Sequence, residues 1–272
     1  MKKIKLLSLL MAVMLILGLF SACSNENASN DNNEKTEVVE DIAYITNNKK
    51  MVIGITDYAP MNFYDDDGVL TGFDTEFAQA VCEKLGVEAE FIEIDWDNKF
   101  LELKSNSIDC IWNGMTITDE VKLNADVSKA YVKNAQVVVV KKDKADAYKS
   151  VEDLKELNFV AEAGSAGEAA IKDNGLDANY VAVNAQTDAL LEVMSGSADA
   201  CVIDITMANA MTGEGTSYAE LTSVLELTTE EYGIAFRQKS DLTEKVNTII
   251  DELKADGTLD ALAEKYELTL AF

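Results

Sequence analysis

Three stretches of this chain carry residue types suited to holding a small molecule. Residues 161–170, AEAGSAGEAA, set Gly164, Ser165, Ala166 and Gly167 at the head of a predicted helix, with Glu168 three residues beyond Ser165 in the manner of a capping box. Unpaired backbone N–H groups at such a terminus cradle an anionic group, while the same glycines equally suit a plain tight turn. Residues 107–120, SIDCIWNGMTITDE, run through an apolar strand to the polar Asn113. Residues 191–205, LEVMSGSADACVIDI, run through another to Asp204.

Composition limits what these residues can do. The chain has no histidine, which removes the usual general base, the usual zinc ligand and every histidine-dependent triad. Its one arginine, Arg237, confines rigid bidentate clamping of a carboxylate or phosphate to a single position. Cys82, Cys110 and Cys201 sit in apolar contexts without CxxC or metal-ligand spacing, so buried, unreactive thiols are expected, and neither metal nor cofactor. No nucleophile is paired with a base, which argues for a binding protein and against an enzyme. The net charge of −26 and pI near 4.2 make nucleic acid an unsuitable partner, because phosphate binding draws on clustered Lys and Arg.

The elements that would position these residues occur twice. Residues 101–115, LELKSNSIDCIWNGM, match residues 191–205 in the opening leucine and glutamate, the two serines flanking one residue, and the aspartate. Upstream, residues 86–94 (GVEAEFIEI) match residues 175–183 (GLDANYVAV) at nearly the same spacing, which implies two lobes of similar topology. Strand and helix alternate: an apolar strand over residues 51–56, then Phe73, Phe77, Val81 and Leu85 every fourth residue with Asp74 as the expected N-cap. Residues 137–140 are four valines, a strand buried on both faces. The pattern implies an α/β fold built on mostly parallel sheets, and 272 residues at 48% hydrophobic composition can bury the cores this needs.

The N-terminus has a signal peptide's layout, a basic start, an apolar run of roughly fifteen residues and then Ser21, Ala22 and Cys23. The run is shorter than the about 20 apolar residues of a spanning helix. Residues 1–22 are therefore expected as a signal peptide. LFSAC resembles a bacterial lipobox, which implies lipidation of Cys23 and anchoring to the outer face of the cytoplasmic membrane. The Asn-, Ser- and Glu-rich residues 23–46 are expected as a disordered tether.

Taken together, VIGITDYAPMNF, GFDTEFAQAVCEKLGV, IDWDNKFLELKSNSIDCIWNGMTIT, SVEDLKEL, ADACVID, EEYGIAFR and DELKADGTLDALAEKY resemble, in order and spacing, extracytoplasmic solute-binding protein family 3, the polar amino-acid branch of ABC importer binding proteins. The resemblance covers roughly residues 50–266. It implies a two-lobed periplasmic-binding-protein-like fold whose lobes are joined by two crossing hinge segments, near residues 131–136 and 225–232. One lobe would take residues 47–132 and 228–272, the other 133–227. It further implies a monomer that captures an amino acid or related amine in the cleft and passes it to a membrane permease.

Residue by residue, Tyr58 and Trp96 match cleft aromatics, and Asn113, Gly114 and Thr116 match the segment that holds the ligand's α-groups. Ser165 matches the loop that closes on the carboxylate, and Asp204 the acid that holds the α-ammonium. Without the resemblance, Asp204 reads as a helix cap and Trp96 as core. One position departs from the pattern: Val121 stands where the family carries its carboxylate-clamping arginine. Either backbone N–H groups and a lysine, Lys122 or Lys133, hold the carboxylate, or the ligand has none. Asp57 and Glu162 are candidate cleft residues as well, and with Asp204 they would favour a cationic ligand. The rival readings are a dehydratase-like enzyme and a sensory lipoprotein on the same scaffold.

Overall fold

The computed structural model describes residues 38–272; the expected signal peptide and Cys23 lie outside them. The chain opens with α1 (Asp41–Asn48), β1 (Lys50–Ile55), the hairpin β2 (Phe63–Tyr64) and β3 (Leu70–Thr71), α2 (Phe73–Leu85) and β4 (Glu88–Glu93). It continues through α3 (Lys99–Lys104), β5 (Cys110–Thr116), α4 (Asp119–Asn124), β6 (Asp126–Val127) and β7 (Val132–Asn134). The second half holds β8 (Gln136–Lys141), β9 (Phe159–Glu162), α5 (Ala166–Asp173), β10 (Tyr180–Val183), α6 (Gln186–Ser195), β11 (Ala200–Asp204), α7 (Ile205–Met211) and β12 (Leu221–Glu226). The chain then returns through β13 (Glu230–Phe236) and closes with α8 (Leu242–Ala255) and α9 (Thr258–Lys265).

Two sheets organise these elements into two lobes. The first has strand order β4-β1-β5-β13-β6, with β7 also paired to β13, and the second β10-β9-β11-β8-β12. In each, three helix-connected strands lie parallel, as the alternating pattern predicts. The strands that carry the chain between sheets, β7, β8, β12 and β13, join antiparallel, so the sheets are mixed. The chain leaves the first sheet at Asn134, enters the second at Gln136, and returns between Glu226 and Glu230.

The internal repeat is reproduced hydrogen bond by hydrogen bond. Ser105 Oγ donates to the Glu102 carbonyl at 3.0 Å and meets Ser107 Oγ at 2.9 Å; Ser195 Oγ donates to the Glu192 carbonyl at 3.0 Å and meets Ser197 Oγ at 3.0 Å. Between each serine pair the backbone turns left-handed, at Asn106 (φ 60°) and at Gly196 (φ 87°), which ends the helix. The following aspartates, Asp109 and Asp199, accept from Val52 N at 2.8 Å and Asn158 N at 3.1 Å, tying each strand start to its neighbour.

The valine run behaves as a doubly covered strand because side chains alternate faces. Val137 and Val139 pack with Leu190 and Val193 of α6 and Met207 of α7, whereas Val138 and Val140 pack with Ala170 and Ile171 of α5.

Two expectations are corrected. The tether does not extend to residue 46: Val39 bridges to Ser240, and Asp41–Asn48 is helical with Ile45 fully buried. The cause is Arg237, whose Nη2 donates to Asp41 Oδ1 at 2.6 Å and to Asp109 Oδ1 at 3.1 Å, while Nη1 donates to the Ile108 carbonyl at 2.7 Å. The chain's one arginine is therefore spent holding α1 to the first lobe. Asp74 is likewise not an N-cap, since Gly72 occupies that position. Asp74 is buried and accepts from Gly114 N at 2.6 Å and from the Tyr131 hydroxyl at 2.9 Å, which bolts α2 to β5.

Candidate ligand-binding site

Parallel strands and the helices that follow them leave a crevice at the strands' carboxyl ends, and in open α/β sheets ligands bind there. The ends of β5, β9 and β11 converge on such a place. Between the lobes lies a cavity of about 280 Å³, lined from the first lobe by Trp96, Lys99, Asn113, Gly114, Thr116 and Val121, and from the second by Glu162, Gly164, Ser165, Gln186 and Asp204. That volume, near the lower bound of the roughly 300–1,000 Å³ usual for small-molecule sites, suits one small molecule.

Of the residues singled out in the sequence, Trp96, Asn113, Gly114, Thr116, Ser165, Asp204 and Glu162 meet at this cavity, as does Val121. Four do not, and each has a physical reason. Tyr58 is not a wall of the cavity. It is buried beneath Gly114, with its hydroxyl bonded to Thr206 Oγ1 at 2.5 Å and to the Tyr232 hydroxyl. Asp57 is exposed beyond the end of β1. Lys122 is exposed on the outer side of α4, and Lys133 lines a separate, larger cavity of about 590 Å³ beside the crossing strands and the C-terminal segment. Neither lysine is placed to clamp a carboxylate here.

The first-lobe side is largely committed to its own structure. Asn113 Nδ2 donates to the Thr56 carbonyl at 3.0 Å while its Oδ1 accepts from Thr56 Oγ1 at 2.7 Å. Gly114 has φ 54°, and a Cβ there would stand 2.5 Å from the Tyr58 ring, so β5 needs glycine at this point. Thr116 Oγ1 donates to Glu230 Oε2 at 2.9 Å.

Asp204 is the most elaborately held group. Its Oδ1 accepts from Gln136 Nε2 at 2.8 Å, from the Tyr232 hydroxyl at 2.9 Å and from Asn134 Nδ2, and its Oδ2 accepts from Gln186 Nε2 at 2.6 Å. The same Asn134 and Gln136 amides donate to Glu230 Oε2, at 3.1 and 3.0 Å. Two carboxylates thus share two amide donors placed on either side of the first crossing. Burial pushes Asp204 up to about 7, the Glu230 charge adds to the shift, and the hydrogen bonds from Tyr232, Gln186 and Gln136 oppose it.

On the second lobe, Ser165 caps α5 by accepting from Glu168 N at 3.1 Å, and Glu168 accepts in turn from Gly164 N at 2.7 Å. The next two N–H groups, of Ala166 and Gly167, belong to the first turn and have no acceptor within the helix. Ala166 lines the cavity with Gly164 and Ser165, so its free N–H is placed where an anionic group could accept from it. The lobes touch across the mouth: Lys99 Nζ donates to the Gly164 carbonyl at 2.8 Å and to the Trp96 carbonyl at 3.1 Å.

Glu230, Gln136, Asn134, Gln186 and Lys99 escaped the sequence reading. Each is an ordinary polar residue in its own segment, and only the folding of four segments onto β11 gathers the first four around Asp204. A signal was available in Gln136 alone, a polar residue opening a strand of four buried valines.

A model of the bacterial extracellular solute-binding proteins, family 3, matches residues 51–269. The L-cystine-binding protein TcyJ of Escherichia coli (strain K12) is 32% identical over 210 residues, covering 77% of this chain and 79% of that protein. The arginine-binding extracellular protein ArtP of Bacillus subtilis (strain 168) is 30% identical over 269 residues, covering 96% and 97%. Among solved structures, the ancestral amino acid-binding protein AncCDT-1, a precursor of cyclohexadienyl dehydratase, aligns with a TM-score of 0.76 at 34% identity, covering 84% of this chain and 99% of that one.

Proposed function

Because the chain belongs to family 3 of the bacterial extracellular solute-binding proteins, we propose that it is the substrate-binding component of an amino-acid ABC importer, capturing an amino acid or related amine between its lobes and handing it to a membrane permease. The observation that carries this reading is one cavity joining Asp204, suited to an ammonium group, with the free Ala166 N–H at the head of α5, suited to a carboxylate. Trp96, Asn113, Gly114, Thr116 and Ser165 complete the site in this reading. Residues 133–227 act as one lobe, and residues 47–132 with 228–272, joined by α1, as the other; ligand draws them together by hinge motion at the two crossings. Cys23 carries the lipid that holds a monomer at the outer face of the cytoplasmic membrane.

A thermal-shift screen of amino acids and amines tests the core of this reading, since a ligand that binds the folded state raises its melting temperature. At least one compound is expected to do so. Asp204→Asn is expected to weaken its binding by about 10- to 100-fold, the loss of one charge-assisted interaction. If no amino acid or amine shifts the melting point, the transport reading fails. A second reading, dehydration of a cyclohexadienyl compound, draws on the buried Glu162 carboxyl, a candidate acid, and on the likeness to AncCDT-1. Product formed from such a substrate would select it.

A further inference from the structure

Resting on the binding function proposed above, we infer that the ligand carries two cationic groups, one held by Asp204 and the second by Glu162, which makes Glu162 the specificity-determining residue of the cavity. Glu162 ends β9, lines the cavity and is only 3% exposed. Its Oε1 is buried with no hydrogen-bond partner among the described residues. Asp204, by contrast, accepts on both oxygens, from Tyr232, Gln186, Gln136 and Asn134, and Asp74 accepts on Oδ2 from Gly114 N and the Tyr131 hydroxyl, its buried Oδ1 alone lacking a partner. A buried carboxyl without a donor is an acceptor in want of one.

The protein's own cation does not fill the role. Lys99 lines the same cavity, yet its Nζ donates to the Trp96 and Gly164 carbonyls and lies 5.0 Å from the centres of the Trp96 and Phe100 rings. No salt bridge within 4.0 Å joins Lys99 to Glu162 among the described residues. Asp119, Glu120 and Asp173 line the cavity as well, so its wall is acidic well beyond what one lysine balances. A neutral side chain on the ligand would leave Glu162 unanswered, and an ammonium or guanidinium answers it with charge-assisted bonds.

Two sources share this chemistry, a basic amino acid and a diamine without a carboxylate, and calorimetry separates them. Titration of the protein with L-arginine, L-lysine, agmatine and cadaverine is set against L-citrulline and L-glutamine, which keep the α-groups but lose the second charge. At least one dication is expected to bind about 10-fold or more tightly than either neutral compound, and Glu162→Gln is expected to shrink that ratio below about 3-fold while retaining binding of the neutral ones. Preference for arginine or lysine identifies an amino acid; preference for agmatine or cadaverine identifies a diamine. Equal or tighter binding of citrulline or glutamine, or an unchanged ratio in Glu162→Gln, overturns the inference and leaves the binding function standing. Absence of binding by all six, with a neutral or acidic amino acid raising the melting temperature in the thermal-shift screen, also overturns the inference, whereas no response in either experiment overturns that function instead.

Discussion

At the scale of single residues, the candidate site concentrates carboxyls whose ionisation the fold resists. Burial first, and then the Asp204 charge, pushes Glu162 from 4.5 to about 8, while Asp204 rises from 3.8 to about 7. Lys99 opposes the Glu162 shift, and Asp188 and Asp95 reinforce it. A carboxyl with a raised folded-state pKa binds its proton longer when folded than when unfolded. Between 4.5 and about 8 for Glu162, and between 3.8 and about 7 for Asp204, the folded state holds more protons and stability falls as pH rises. The empty protein is therefore expected to melt at a lower temperature at about pH 8.5 than at about pH 5.5, with a shallower decline in Glu162→Gln. Scanning calorimetry across that range checks both statements, and a wild-type profile that climbs toward alkaline pH would contradict them. A bound cation reverses the argument locally, because it favours the ionised carboxylates.

At the scale of elements, β5 shows how tightly packing and site are coupled. Gly114 sits in the left-handed region against the Tyr58 ring, and its N–H is the donor that holds Asp74 of α2. Gly114→Ala combines an unfavourable backbone conformation with an overpacked contact, and a loss of about 2–4 kcal/mol is expected from urea unfolding. An unchanged midpoint would show that Tyr58 moves aside without cost. How much was legible beforehand follows from what each element depends on. The repeat, the valine strand and the cap at Ser165 were readable because local spacing and side-chain alternation decide them. Asp74 was misread because a helix-start aspartate looks the same whether it caps its own helix or reaches across to β5. Tyr58 was misplaced for a related reason: a tyrosine after a strand suits a cleft wall, and only Thr206 and Tyr232, from distant segments, draw it inward. Asp41 and Arg237 are 196 residues apart, so nothing local announced that the tether ends where α1 begins.

At the scale of the whole molecule, a net charge of −26 acts on stability as well as on the ligand. Self-repulsion of that size is expected to weaken the compact state at low ionic strength, so the melting temperature of the empty protein should rise between about 0.01 and 0.15 M salt, where the screening length falls from roughly 30 to 8 Å. A melting temperature indifferent to salt would mean that the acidic groups are too dispersed to repel one another. The path of the chain between the sheets has a consequence in time. The second sheet is complete within residues 136–226, whereas the first waits for β13, which pairs with β5, β6 and β7 from as far back as Cys110. A chain released from its N-terminus onward thus finishes its inner half before its outer one. Folding of the earlier half is held open until β13 and the residues after it emerge.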